Sequence, residues 1–291
     1  MSRRGRFFLG LAVGGVVLSA VSFWSWPRSE DAPSSSSPER SQEAQRLAQI
    51  DRALDRGDAE GARRLLEAWI EEAPAKAELH NRLGLALEAL DDVAGAERSY
   101  QRAIAHDAGS VDGWVNLGRA LRSLGRPEEA WRAFHAAVDR APKRADAYVG
   151  RGLAAFDQGE LRPAEADFRH AMELAPAAAE PRLALGDVHR ARGDPSAARE
   201  AYREALGVDP TRSDGWTKLG NALVRLRELS EAEHAFREAL HHDARLAAAY
   251  NGLGVTLMTE GHQDEAARAF ERAIELDPRD ENPARNLALL R

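Results

Sequence analysis

The sequence contains no cysteine, which excludes disulfide frameworks, thiolate zinc sites, cysteine nucleophiles and a lipid anchor carried on an N-terminal cysteine. That absence is silent on compartment, because a chain without thiols suits oxidising and reducing surroundings alike. Lysine is nearly as scarce: Lys76, Lys143 and Lys218 are the only three, so 37 of the 40 basic residues are arginine. With the abundance of alanine, this composition suggests a GC-rich, bacterial genome. Signatures of common catalytic sites are missing too. The nine histidines form no HExxH pair, His241 and His242 adjoin on helical directions unsuited to shared chelation, and there is no Walker loop and no GxSxG. No enzymatic activity, cofactor, metal or small-molecule substrate is expected.

Positive charge is in deficit. The formal net charge is −7, yet residues 1–40 carry Arg3, Arg4, Arg6, Arg28 and Arg40 against Glu30, Asp31 and Glu39, so the remainder holds −9. So acidic a body is a poor match for phosphate backbones, whose affinity is built from clustered Lys and Arg, and no nucleic-acid partner is expected. Long apolar runs are also rare. The exception is Phe7–Trp26, twenty residues without a charge. At helical rise these span roughly 30 Å, the thickness of a bilayer's hydrocarbon core.

Aromatic rings mark both ends of that run (Phe7 and Phe8, Trp24 and Trp26), and Pro27 stops it. The basic start at residues 1–6 predicts, by the positive-inside rule, a cytoplasmic N-terminus and a single-pass anchor in the bacterial inner membrane. The repeat domain is then periplasmic. A cleavable signal peptide is the competing reading, since Ala20-Val21-Ser22 offers a small-x-small cleavage site; against it, the run outlasts a typical h-region and ends in tryptophans. Cleavage would leave a soluble periplasmic carrier, or an adaptor subunit of an enzyme complex. Arg3-Arg4 also resembles a twin-arginine export signal, but its phenylalanine falls one place late. Gly10 and Gly14 form a GxxxG, which the frequency of glycine in membrane helices explains without helix pairing. Residues 27–42 are Pro, Ser and charge, too polar to bury surface, and read as a flexible tether.

The rest of the chain repeats. Gly84, Gly118, Gly152, Gly186, Gly220 and Gly254 recur every 34 residues. Sixteen residues after each stands an aromatic (Tyr100, Phe134, Phe168, Tyr202, Phe236, Phe270), and twelve and nineteen after it an alanine. The residue before the glycine is leucine in five cases and Arg151 in the sixth; four before it lie His80, Trp114, Tyr148, Arg182, Trp216 and Tyr250. Offsets −4, −1, 0 and +3 share one face of a helix, and +12, +16 and +19 share one face of a second. Small residues let the backbones approach, the ring fills the space between units, and Gly125, Gly159, Gly193 and Gly261 supply the left-handed residue between the two helices. The unit is an antiparallel helix pair.

This pattern resembles the tetratricopeptide repeat family over residues 77–280, as six clear repeats. A degenerate copy fits at 43–76, with Ile50 in place of the glycine, and 281–291 reads as a capping helix over the last apolar face. The fold class expected is therefore an all-α tetratricopeptide-repeat solenoid behind one N-terminal transmembrane helix. The resemblance implies a protein-binding scaffold, whose concave wall, lined by the first helix of each unit, receives an extended peptide or a partner helix. The pathways such anchored proteins serve, among them pilus and secretion assembly, point to biogenesis of an envelope complex.

On the first-helix face beside the core stripe, the candidate groove residues are Asn81, Asn116, Arg119, Arg122, Val149, Leu153, Phe156, Asp187, Arg190, Lys218, Asn221, Arg225 and Asn251. Val149, Leu153 and Phe156 form an apolar patch suited to a partner's hydrophobic side chains, and the asparagine amides both donate to and accept from a peptide backbone. A plainer explanation stands beside this: apolar residues on that stripe pack against a neighbouring helix in a curved stack. The acidic column Glu78, Asp112, Asp146, Glu180 and Asp214 likewise suits helix first turns through the macrodipole. A basic and asparagine carboxylate clamp of the kind found in the family is not expected, because Leu85 and Gly150 stand where polar groups are needed.

Overall fold

The structure, a computed structural model, describes residues 38–290. The basic start, the apolar span 7–26 and most of the tether lie outside the described residues. The last residues of the tether do not: α1 begins at Pro38, so 38–42 are helical. Proline suits a first turn, where its fixed φ helps and its missing N–H has no intrahelical partner to lose. Among the described residues no helix is long and apolar enough to cross a membrane.

The chain divides into two units, 1–46 and 47–291. Of the first, the described part is the opening of α1. The second holds the repeats. The described residues form fifteen helices and no strand, in pairs: α1 (Pro38–Asp55) with α2 (Ala59–Glu72), α3 (Ala77–Ala89) with α4 (Val93–His106), α5 (Val111–Ser123) with α6 (Pro127–Arg140), α7 (Ala145–Asp157) with α8 (Leu161–Leu174), α9 (Glu180–Ala191) with α10 (Pro195–Val208), α11 (Ser213–Leu226) with α12 (Leu229–His242), α13 (Ala247–Glu260) with α14 (Gln263–Leu276), and α15 (Glu281–Ala288) alone. From α2 onward each helix packs on its neighbours in sequence. First helices of adjacent repeats also approach one another (α3 with α5, α5 with α7, α7 with α9, α11 with α13), whereas second helices make no comparable approach. Within residues 47–290 the first helices therefore line the inner side of the stack.

All six rings of the aromatic column are fully buried. A Cβ built on Gly186 comes within 2.3 Å of Tyr202, and one on Gly150, in the following repeat, within 2.2 Å of Phe134. Each ring thus presses on the glycine of its own first helix, and Phe134 and Phe236 press also on Gly150 and Gly252 of the next. Burying one such ring contributes roughly 2–3 kcal/mol. In the degenerate first repeat the sizes are exchanged: Ile50 and Leu66, both buried, replace glycine and ring. At the far end Leu287 and Leu290 pack against the last core cluster.

The departures from the repeat pattern have structural reasons. His80 bonds the Pro74 carbonyl (2.7 Å), as Trp114 donates to Ala108 (3.1 Å), Tyr148 to Pro142 (3.2 Å) and Trp216 to Pro210 (2.8 Å). What that column requires is a polar tip that ties the turn between repeats, and histidine supplies it. In the turn between paired helices, Asp91 (φ 63°) and Arg227 (φ 64°) adopt the left-handed conformation beside five glycines, a cost of about 1–2 kcal/mol each.

Arg151, the break in the leucine column, has a matching break at Asp167, where the other five clear repeats carry alanine or Ser99. Its guanidinium grips the Asp167 carboxylate with two bonds, 2.6 and 2.9 Å, stacks over the Tyr148 ring and reaches His135. The side chains are only 17% and 10% exposed. Arg151→Leu alone leaves a buried carboxylate without its partner and is expected to cost about 3 kcal/mol, whereas the double variant Arg151→Leu, Asp167→Ala restores the pattern and is expected to be neutral or stabilising. Urea unfolding of the two variants checks both signs.

Candidate functional site

The inner face is built from first-helix residues at offsets −3, −2, +1, +4 and +5 from each glycine. The same geometry that brings adjacent first helices together sets side chains of successive repeats opposite each other, and most of the polar ones pair. Arg82 binds Asp51 (3.0 Å) in the preceding repeat. Arg119 stands 4.0 Å from Glu88, Arg122 binds Asp157 (2.7 Å), and Lys218 binds Asp187 (2.5 Å). Two amide pairs complete the series. Asn116 donates to Asn81 and Asn286 donates to Asn251, each at 3.0 Å and each across 35 residues.

These ties correct the expected groove. Asn81, Asn116 and Asn251 are engaged with asparagines of neighbouring repeats, and Asn116 is buried, because the amides face the seam between first helices rather than open solvent. Val149 is likewise core, packed with Ala155, Ala184, Leu185 and Val188. Leu153 and Phe156, half-buried, form the outward edge of that cluster. Asn221 and Arg225, one turn apart on α11, are exposed, and their side chains have no partner among the described residues. Arg190 is half-exposed and reaches Asp187 at 3.6 Å. Of the expected groove residues, Leu153 and Phe156 are thus partly open, and Asn221 and Arg225 exposed.

Sequence reasoning missed the role of tyrosine in the ring column. Tyr202 donates its hydroxyl to Asp187 (2.9 Å), the carboxylate that also holds Lys218. Tyr100 lies with its hydroxyl buried beside Glu88; burial, then that carboxylate, raise the phenol above its ordinary value. The other four rings are phenylalanine, so tyrosine in this column marks an acid on the inner face. That alternation was visible in the sequence as Tyr100 and Tyr202, without its meaning.

On the outer side, α10, α11 and α12 enclose a cleft of about 550 Å³ lined by Leu206, Trp216, Leu223 and His234. The Arg203–Glu231 ion pair spans it. Two repeats earlier, Arg151 and Asp167 stand at the places of Leu219 and Ala235 in this lining. Among the described residues no group of three or more acidic or histidine side chains converges on a metal-sized site.

Comparisons with known proteins agree with this architecture. A tetratricopeptide repeat family model matches residues 47–111, 115–179 and 217–281, and a second tetratricopeptide repeat model matches 179–222. Among curated proteins none matches. Among solved structures, a tetratricopeptide repeat protein from Parabacteroides merdae is 18% identical with a TM-score of 0.68, covering 85% of this chain and 98% of that one. The Cut9–Hcn1 hetero-tetramer of the APC/C matches at 15% identity and a TM-score of 0.72, over 83% of this chain and 48% of the other, so this chain spans about half that length. YrrB, described as having an unusual peptide-binding site, matches at 20% identity and a TM-score of 0.50, over 65% and 97%. At these identities the likeness is one of fold.

Glu88 makes the inner face sensitive to pH. Burial pushes its carboxyl above the usual carboxylate range, against the pull of Arg119, so folding favours the protonated acid. That stabilisation is complete below the ordinary glutamate range and is lost as pH rises through the raised value. Glu88→Gln is expected to melt higher than the wild type at neutral pH, with the difference closing in acid, as thermal unfolding across pH will show.

Proposed function

The chain belongs to the tetratricopeptide repeat family, and from that premise we propose that it is a non-catalytic, membrane-tethered scaffold that binds an extended peptide or partner helix on the inner face of its first helices. The observation that carries this reading is the contrast along that face. Most inter-repeat seams are closed by a polar tie, whereas the seam between α7 and α9 presents Leu153 and Phe156 half-exposed, with Asn221 and Arg225 free further along. Apolar anchors beside unpaired amide and guanidinium groups suit a polypeptide, which offers both side chains and backbone.

The tether rests on Phe7–Trp26 and the basic residues before it, which support a single-pass inner-membrane anchor with a periplasmic repeat domain serving assembly of an envelope complex. The Ala20-Val21-Ser22 site favours the second reading, a soluble periplasmic carrier or adaptor. Protease treatment of intact cells, spheroplasts and lysed spheroplasts, with the intact mass of the chain, separates them. Digestion in spheroplasts with residues 1–26 retained is expected; protection until lysis overturns the topology, and a mature chain starting near Phe23 supports the soluble carrier.

The groove itself is tested by a photo-crosslinking residue placed at Phe156 or, on the outer face, at Arg102, in cells. A discrete protein adduct at 156 and none at 102 is expected. Leu153→Ala with Asn221→Ala should weaken capture of that protein about tenfold or more. Adducts of equal yield at both positions would remove the inner face as the binding surface.

A further inference from the structure

The inner face is not uniform in charge, and its departure lies at the seam between α9 and α11. Arg122 and Asp157, on α5 and α7, form an ion pair across 35 residues. Two repeats further on, the same two places hold Arg190 and Arg225, so an attractive pair is replaced by two cations. Lys218, two turns before Arg225 on α11, binds Asp187. The carboxylate at this seam is Asp187, which accepts from Tyr202 and Lys218 while Arg190 approaches to 3.6 Å. Asp214, one turn from Lys218, is itself held by Arg212 through two bonds of 2.8 Å. Lys218 and Arg190 thus share one carboxylate, in a chain whose net charge is −7. Arg225 has no acid of its own among the described residues, and Asn221 stands one turn before it, exposed and unpaired.

We propose that α9 and α11 present an anion subsite, formed by Arg190, Asn221 and Arg225, for side-chain carboxylates of an acidic peptide lying along the inner face. The two guanidinium groups meet carboxylates through paired, directional hydrogen bonds, and the asparagine amide beside them steadies the peptide backbone. A short run of carboxylates needs only these few cations. A long phosphate backbone would meet the acidic remainder of the molecule and be repelled, which favours the peptide. This inference rests on the inner face being the binding surface and adds the chemistry of what it takes there.

The test uses the purified full chain and a short fluorescent glutamate-rich peptide with an amidated C-terminus, followed by anisotropy. A glutamine counterpart and an oligothymidylate serve as comparison probes. The glutamate peptide should bind, weaken as salt is raised, and bind about tenfold more tightly than the glutamine peptide. Arg190→Gln with Arg225→Gln, both exposed and so without effect on circular dichroism, should weaken it about tenfold, and Arg98→Gln with Arg102→Gln on the outer face should not. Unchanged binding in the first variant, equal loss in the second, or tighter binding of oligothymidylate would each overturn the subsite. If such a result comes with a protein crosslinked at position 156, the groove reading stands and only the acidic partner fails. Absence of that adduct, with the subsite intact, would remove the groove instead.

Discussion

Each buried ring of the column lies over a glycine, and that contact governs the rest of the molecule. A ring at +16 fits only where the backbone opposite carries no Cβ, and at Gly84 and Gly186 an added methyl would sit 2.3 Å from a tyrosine carbon. The contact fixes how near the two helices of a repeat lie. It also fixes the seam with the next repeat, because Phe134 and Phe236 reach Gly150 and Gly252 one unit on. From that spacing follow the approach of successive first helices, the inner face they share, and the pairing of side chains across it.

The inner face is therefore shaped first by packing. Where a repeat offers a carboxylate, the next often supplies Arg or Lys, and where it offers an amide the next supplies an amide. Such ties occupy the residues that chemistry alone would assign to a ligand. Binding capacity is left where the series lapses: at Leu153, whose opposite number is Ala184, with Phe156 one turn on, and at Asn221, whose opposite number is Gly252, the glycine against which Phe236 packs.

The helices and their register were legible in the sequence, since spacing of glycine, alanine and ring is a strong signal and each column has one physical cause. In the degenerate first repeat the sequence shows Ile50 in place of the glycine, and packing shows that Leu66 takes the ring's place opposite it. What was not legible is which inner-face residues engage one another. Asn81 and Asn116 differ by 35 residues, one more than the period, and that extra residue reflects the offset at which neighbouring first helices meet. A single repeat carries no trace of it. Arg151 and Asp167 were each visible as exceptions, but only packing shows that they are one exception shared by two helices.

That shared exception has a consequence for how the chain finds its partners in itself. An array of near-identical helix pairs is open to misregister, in which α7 seats on the second helix of another repeat. Every such misplaced seat offers alanine, Ser99 or Leu65 at the position of Asp167, leaving the Arg151 guanidinium enclosed without a counter-charge. The pair is an address written into the middle of a repetitive text, and it discriminates the correct neighbour by what every wrong one lacks.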